Sequence, residues 1–196
     1  DPQYQLKKDT TNPDLFWITL TGLDINLEYA YQYLVDYTIK IADPYSEKIL
    51  DPWTDQYINT GNYPNLKAYP ADLTEGYVST FLINETPYTW NISNFTKPSQ
   101  SNLVIYELLV RDFTDSDSYT EALTKLDYLK NLGINAIELM PINEFEGNDS
   151  WGYNPSFYFA TDKAYGTTND YKTFIDLPTA KIDVENFKSG LLSLGV

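Results

Sequence analysis

Two apolar runs separated by a helix-like segment, between residues 103 and 140, constrain the fold of this chain more than any other feature. The first run, LVIYELLV at 103–110, has the length and apolar character of a strand buried on both faces. The second run, INAIELM at 134–140, has the same character and ends at Pro141. A strand, a helix and a strand joined by short loops predict a βαβ unit with parallel strands and a right-handed crossover.

The segment between the two predicted strands carries signals for a helix start, an apolar face and a helix end. Ser118 and Glu121 match the S-x-x-E capping box, which predicts Ser118 as the N-cap. Gly133 is predicted to end the helix. The apolar residues spaced three and four apart, which predict one buried face, are Ala122, Leu123, Leu126, Leu129 and Leu132.

Residues 1–98 show the short alternating runs of β-structure rather than helical spacing. Candidate strands are FWITL at 16–20, the period-two run at 29–35 and YVSTFLI at 77–83, separated by proline-containing turns. This pattern favours an immunoglobulin-like β-sandwich for residues 1–98. A predicted linker near residues 95–102 leads into the βαβ segment, so the whole chain is predicted to be α+β.

A segment of about 25 residues, 142–166, follows the second predicted strand and is predicted to be a loop. Long loops are more often functional than not, and α/β folds place their sites after the carboxyl ends of parallel strands. NDYKTFID at 169–176 predicts the start of another helix, capped by Thr168 or Asn169.

The composition excludes several kinds of chemistry. The sequence contains no cysteine and no histidine, which excludes thiol nucleophiles, Ser-His catalysis and most transition-metal sites. Its formal net charge of −15 disfavours nucleic acids, because phosphate binding needs clustered Lys and Arg. No apolar run is long enough for membrane insertion. The 18 Tyr, 9 Phe and 4 Trp suit a neutral ligand such as a sugar, and no cofactor is predicted.

Three sequence blocks together resemble the α-amylase family (family 13) of glycoside hydrolases. YELLVRDF at 106–113 resembles the first strand of the family's barrel, and LDYLKNLGINAIELMPINEF at 126–145 resembles its first helix and second strand. SWGYNPSFYFATDKAYGTTNDYKTF at 150–174 resembles the approach to the second helix. In the amino-terminal half, DPYSEKILDPWTDQYI at 43–58 resembles the sandwich of pullulanase-like, starch-degrading members.

The resemblance implies a division of the chain into three parts. Residues 1–98 are expected to be the sandwich, and residues 99–176 the beginning of an incomplete (β/α)8 barrel with its first two strands and helices. Residues 177–196 depart from the family pattern, as if the chain were truncated after the second barrel strand. The resemblance also implies a bacterial protein that is secreted or held at the cell surface.

For the site, the resemblance implies that Tyr153 of the triplet WGY stacks under a sugar ring, with Trp151 and Asn154 lining the same cleft. The partner is expected to be an α-glucan polysaccharide or oligosaccharide of the starch or pullulan type. No catalytic residue is expected within the chain, because the carboxylates of these retaining hydrolases lie on later strands. Glu107 and Glu138 are instead interpreted as polar barrel side chains or ion-pair partners of Arg111. The chain is therefore expected to be a fragment that is inactive alone.

Other interpretations stay open. The chain could be a non-catalytic α-glucan-binding or scaffold module, which the Tyr-rich strands and Trp53 suggest. It could also be a truncated product without an independent role, because open strand edges of an incomplete barrel invite aggregation. The acidic segment Asn143–Asp149 could bind calcium, but it lacks the spaced ligands of a calcium loop. A solvated acidic loop is favoured, and no metal site is predicted.

Overall fold

The computed structural model describes residues 4–92, 95–96 and 98–176 with their side chains, and the backbone of residues 183–186. The strands of the amino-terminal half in these ranges are β1 (Lys7–Lys8), β2 (Phe16–Trp17), β3 (Glu28–Tyr31), β4 (Tyr33–Val35), β5 (Ile39–Ile41), β6 (Ile49–Leu50) and β7 (Val78–Leu82). An antiparallel sheet has the order β3-β7-β6, while β1–β2 and β4–β5 form separate hairpins. The predicted strands are present in shortened form. These small sheets do not confirm the immunoglobulin-like sandwich, which stays a prediction.

The predicted period-two run divides into β3 and β4 at Gln32. The side-chain amide of this residue donates to the backbone oxygens of Glu75 at 2.9 Å and Tyr77 at 2.7 Å, which ties the break to a distant part of the chain. The hairpin β4–β5 then closes through Asp36 and Tyr37, whose φ angles are 49° and 59°. Two successive positive φ angles are typical of the type I′ turn, whose twist matches that of the flanking antiparallel strands.

The carboxyl-terminal half is built on a parallel sheet of β8 (Ile105–Leu108), β9 (Ala136–Leu139) and β12 (Asp183–Asn186), with β9 in the middle. The two predicted strands and their parallel pairing are confirmed. The prediction of only two strands is wrong, because the sheet has three. The third, β12, lies within residues 177–196, the tail that was expected to depart from the family pattern. Its four residues, DVEN, carry too little apolar character to indicate a strand.

The helices of this half are α1 (Val110–Phe113), α2 (Tyr119–Leu123), α3 (Leu126–Asn131) and α4 (Thr168–Ile175). The single helix predicted after Ser118 is therefore two pieces. Thr124 separates them, because its hydroxyl donates to the backbone oxygen of Glu121 at 2.7 Å and the backbone there tightens into a turn. Gly133, with φ 93°, ends the second piece as predicted.

The predicted helix caps are correct in one case and displaced by one residue in the other. Ser118 caps α2 as predicted, since its side chain accepts from the backbone N of Glu121. In a complete capping box the Glu121 carboxylate would accept a hydrogen bond from Ser118 N. Here it accepts from Ser116 N instead, at 2.7 Å. Helix α4 is capped by Thr167, which forms a reciprocal capping box with Asp170, and not by Thr168 or Asn169.

Two apolar clusters form the core. The larger lies between the parallel sheet and the helices and includes Leu108, Tyr119, Leu126, Leu129, Ile137, Leu139 and Phe174. The smaller connects the two halves of the chain, because Ile49 of β6 packs with Phe157 and Ala160 of a further strand, β11 (Pro155–Thr161). The apolar core therefore extends across the predicted boundary near residue 98.

Polar contacts cross the same boundary. The Asn62 amide donates to the backbone oxygens of Ser116 at 2.7 Å and Ala164 at 3.0 Å. The Asp176 carboxylate accepts from the backbone nitrogens of Asn91 and Ile92, both at 2.8 Å. The division into residues 1–98, 99–176 and 177–196 stays a prediction. None of the helices within the described ranges has the length and apolar character needed to span a membrane.

Candidate functional site

The segment after β9, predicted to be a loop of about 25 residues, is largely a β-hairpin, which corrects that prediction. Strand β10 (Asn143–Phe145) pairs antiparallel with β11, with irregular register on both sides of Glu144. Phe157 and Ala160 of β11 are buried against the amino-terminal half, a partner that the local sequence does not reveal. The hairpin leaves a shorter connection, residues 146–154, which we call the WGY tip.

Gly152 fixes the shape of the WGY tip. Its φ of +86° lies in the left-handed region, and a Cβ at this position would overlap the carbonyl oxygen of Pro141. Because Pro141 lies two residues beyond the end of β9, the glycine holds the tip near the carboxyl end of this parallel strand. The residues on either side of it project outward, with Trp151 63% and Tyr153 61% exposed. The tip therefore presents two aromatic side chains where a parallel sheet places its sites.

Hydrogen bonds inside the tip fasten this shape. The backbone N of Gly152 donates to Ser150 Oγ at 3.0 Å, and Ser150 Oγ is also bonded to Asn154 Oδ1. The backbone N of Glu146 donates to the backbone oxygen of Asn154 at 3.4 Å. The three predicted site residues, Tyr153, Trp151 and Asn154, thus lie together in one exposed tip. Their contact with sugar stays a prediction, and Asn154 also has a part in holding the tip.

Arg111 connects the WGY tip to helix α1. Its guanidinium pairs with Asp112 at 2.7 Å, measured from Nε to Oδ1, and with the Asp149 carboxylate of the tip. The hydrogen bond between Arg111 and Asp112 raises the pKa of the guanidinium and lowers that of the carboxyl group. The interpretation of Glu107 and Glu138 as ion-pair partners of Arg111 is therefore wrong.

Glu107 and Glu138 occupy equivalent positions on neighbouring strands. They are register partners in the pairing of β8 with β9, and the backbone of Glu185 continues the row on β12. The following residues, Leu108 and Leu139, are buried in the core. Since successive strand residues face opposite sides, the two glutamates lie on the face turned away from the helices. Their interpretation as a polar row on the inner face of a barrel agrees with this placement.

A buried cluster of charged residues, missed from the sequence, lies beneath the hairpin. Lys163 is 2% exposed and its ammonium group pairs with Glu144 Oε1 and, at 3.2 Å, with Asp55 Oδ1. Asp162, also 2% exposed, accepts from the backbone nitrogens of Ala164 at 2.8 Å and Phe145 at 3.3 Å. We call Asp55, Glu144, Asp162 and Lys163 the Lys163 cluster. Glu144 thus belongs to a buried ion pair. For this residue the prediction of a solvated acidic loop is wrong.

One lysine cannot neutralise three buried carboxyl groups. Burial raises the pKa of Glu144 to about 8 and that of Asp162 to about 6, although the Lys163 charge opposes both changes. Burial by itself lowers the pKa of Lys163. The negative charges of Glu144 and Asp55 have the larger effect, so the pKa of Lys163 is raised. Burial therefore favours keeping a proton on a carboxyl group of the cluster up to a higher pH than in the unfolded chain.

The folding stability should consequently fall as the pH rises from 5 to 8. The unfolded chain releases the Glu144 proton near its ordinary pKa of 4.5, whereas the folded protein keeps it up to about pH 8. In this window the folded state binds more protons, so raising the pH lowers the free energy of unfolding. Thermal unfolding followed by circular dichroism should show a melting temperature that declines steadily across this range.

Glu144→Gln tests this assignment, because glutamine has the same shape and no titrating group. We expect the decline between pH 5 and pH 8 to flatten in this variant. Glu146→Gln, a change at an exposed position in the WGY tip, should keep the decline of the unmodified protein. An equally steep decline in Glu144→Gln would contradict the assignment. Asp9 and Glu121 have lowered pKa values, so their titration changes the folding stability below pH 5 and not between pH 5 and pH 8.

The described residues include no group of three or more carboxylates that could hold a metal ion. Within the segment considered for calcium, Glu144 is paired with Lys163 and Asp149 with Arg111. Both carboxylates therefore already have a cationic partner in the protein. Nothing in this geometry favours the calcium alternative.

Comparisons with known proteins show what this chain is similar to. Residues 112–181 match the family described as alpha amylase, catalytic domain. Malto-oligosyltrehalose trehalohydrolase of Saccharolobus solfataricus is 27% identical over 173 residues, which are 88% of this chain and 26% of that protein. The chain thus spans about a quarter of the length of this curated relative.

Two solved structures share the fold. A putative alpha amylase from Salmonella typhimurium has a TM-score of 0.61 and 27% identity, over 80% of this chain and 23% of that one. The Group B Streptococcus pullulanase SAP, solved with maltotetraose, has a TM-score of 0.51 and 24% identity, over 76% of this chain and 22% of that one. At that identity, the second likeness concerns the fold alone. The match over residues 112–181 covers about a third of the chain, which in that part is similar to glycoside hydrolases of alpha-amylase type.

Proposed function

We propose that the chain binds α-glucan as part of a starch- or pullulan-degrading glycoside hydrolase of the pullulanase-like type. The WGY tip carries this proposal, since Gly152 holds the exposed Trp151 and Tyr153 at the carboxyl end of β9. An aromatic face can pack on the apolar face of a pyranose ring, and the neighbouring polar groups can bind its hydroxyls. Tyr153 and Trp151 are the proposed stacking residues, and Asn154 the proposed polar contact.

The family match and the charge of the chain support the same ligand. Residues 112–181 match a catalytic domain of alpha-amylase type, and a relative with the same fold, the Group B Streptococcus pullulanase, was solved with maltotetraose. A net charge of −15 repels anionic polymers but not a neutral glucan. Because a starch polymer is too large to cross a membrane, we also propose a secreted or surface-held protein.

Tyr153→Ala should weaken binding of maltoheptaose by roughly tenfold, because it removes one stacking face. Isothermal titration calorimetry of the full 196-residue chain measures this directly. Tyr128→Ala is the matched control, since Tyr128 of α3 is 60% exposed, close to the 61% of Tyr153, and lies outside the tip. Equal affinities in the two variants would contradict the assignment of Tyr153. Cellohexaose, with β-linkages, should bind more weakly than its α-linked counterpart.

We further propose that the 196-residue chain alone does not hydrolyse glucan. A retaining hydrolase needs two carboxyl groups about 5–5.5 Å apart on opposite sides of the scissile bond. The resemblance places these two carboxyl groups on later strands of the barrel, and Glu107 and Glu138, on its first two strands, match neither of them. Sustained release of reducing sugar from starch by the pure chain would overturn this part of the proposal.

A non-catalytic α-glucan-binding or scaffold module is the second candidate. The exposed Trp53 favours it, because this side chain belongs to the amino-terminal half and lies outside the WGY tip. A module of this kind would bind glucan through the amino-terminal half, so Tyr153→Ala would leave its affinity unchanged. The calorimetric comparison above therefore also separates the two candidates.

A further inference from the structure

Trp53 is an exposed aromatic side chain that packs against a neighbouring ring. It is 58% exposed, and its ring packs edge-on against Tyr77, with 5.3 Å between centroids and 81° between planes. Its backbone N donates to Asp51 Oδ1 at 2.7 Å, and its backbone oxygen accepts from Gln56 Nε2 at 3.1 Å. A ring already packed against a neighbour, on a hydrogen-bonded backbone, loses less conformational freedom on ligand binding than a side chain without such contacts.

Two routes connect Trp53 to the WGY tip. The Asn148 side chain, inside the tip, donates to the backbone oxygen of Thr54 at 2.9 Å. Tyr77, which supports Trp53, packs edge-on against Phe157 of β11 with 5.3 Å between centroids. The first route joins the tip to the residue after Trp53, and the second joins Trp53 to the strand that follows the tip. Trp53 therefore lies beside the WGY tip, although some 90 residues of sequence separate them.

The chemistry around Trp53 suits a neutral polyhydroxylated ligand. Tyr57 is 75% exposed and Gln56 is also exposed, so a hydroxyl and an amide oxygen lie within four residues of Trp53 in the sequence. The Asp51 carboxylate is buried and accepts from Trp53 N and Thr54, so it does not offer a free charge. With a net charge of −15, the chain complements an uncharged oligosaccharide better than an anionic ligand.

We propose that Trp53 is a second stacking position for the same α-glucan chain that the WGY tip binds. This inference rests on the proposed function and extends it, because it makes the amino-terminal half part of the substrate-binding surface. A ligand that reaches both positions gains affinity from the second one, whereas a short ligand bound at the tip does not. Affinity should therefore rise with oligosaccharide length, and Trp53 should be the cause of the rise.

The experiment is a calorimetric titration of the full chain with maltotriose, maltotetraose, maltohexaose and maltoheptaose. In Trp53→Ala, affinity for maltoheptaose should fall by roughly fivefold or more, while affinity for maltotriose stays within about twofold. Trp53→Phe keeps an aromatic ring and should retain most of the length dependence. Because Phe also maintains packing on Tyr77, this variant separates lost stacking from lost folding.

Trp90→Ala is the matched control. Trp90 is 51% exposed and packs edge-on against Tyr88, with 4.9 Å between centroids, but its neighbours are bonded to Asp176 and not to the WGY tip. This variant should bind all four oligosaccharides like the unmodified chain. If Trp53→Ala does the same while Tyr153→Ala loses affinity, the inference is overturned and the proposed function stands. Two binding sites per chain would also overturn it, and no affinity for any oligosaccharide would overturn both.

Discussion

Gly152→Ala should destabilise the protein by on the order of 3 kcal/mol and abolish binding at the WGY tip. Alanine strongly disfavours the φ of +86° found here, and its Cβ would overlap the Pro141 carbonyl oxygen and lie 2.9 Å from the Pro141 Cβ. Backbone atoms cannot move aside as the end of a flexible side chain can. The tip must therefore separate from the end of β9, which displaces Trp151 and Tyr153. Urea unfolding followed by circular dichroism measures the loss of stability.

Gly147 provides a control within the same tip. Its φ is +82°, almost that of Gly152, but a Cβ added there meets nothing within 4 Å. Gly147→Ala should therefore show only the backbone penalty, about 1 kcal/mol. The difference between the two variants isolates the close approach to Pro141. If the two unfold at the same urea concentration, the tip is not held in the way described.

Lys163→Met should destabilise the protein by about 3–5 kcal/mol at pH 7. Methionine keeps the length and apolar stem of the lysine but removes the only cation of the Lys163 cluster. The carboxyl groups of Glu144, Asp55 and Asp162 would then be buried without compensation. Because Asp55 belongs to the amino-terminal half, the variant should also loosen the contact between the halves. Limited proteolysis should detect that change as faster cleavage.

Lys48→Met is the corresponding control at the surface. Lys48 pairs with Glu28 at 2.9 Å, but both side chains keep about a quarter of their surface exposed. Removing an ion pair of this kind, together with the contact of Lys48 with the Tyr63 ring, should lower stability by about 1 kcal/mol. A loss in Lys163→Met no larger than this would show that burial does not strengthen the Lys163 cluster.

The features that sequence reasoning predicted correctly depend on residues close together in the chain. The apolar runs predicted β8 and β9, and the spacing of Ser118 and Glu121 predicted a helix N-cap. The aromatic residues of the triplet WGY are exposed, while their contact with sugar stays a prediction. Each of these signals lies within a few residues, so local propensity and capping chemistry are sufficient to find it.

The features that sequence reasoning missed depend on distant partners. The segment after Pro141 was predicted to be a loop, because nothing nearby shows that β11 is buried against Ile49. Lys163 has the sequence context of an exposed loop residue, and only Asp55 and Glu144 explain its burial. Strand β12 has little apolar character and is specified by pairing with β9. Tertiary contacts override weak local preferences in all three cases.

For this protein, the sequence by itself determined the parallel βαβ unit, the helix end at Gly133 and the resemblance to the α-amylase family. It did so because apolar periodicity, capping residues and the blocks that carry the resemblance each lie in contiguous residues. Only the tertiary structure decided that Gly152 rests on Pro141, that the Lys163 cluster joins the two halves and that Trp53 lies beside the WGY tip. These contacts bring together residues far apart in the chain, and packing in three dimensions alone selects them.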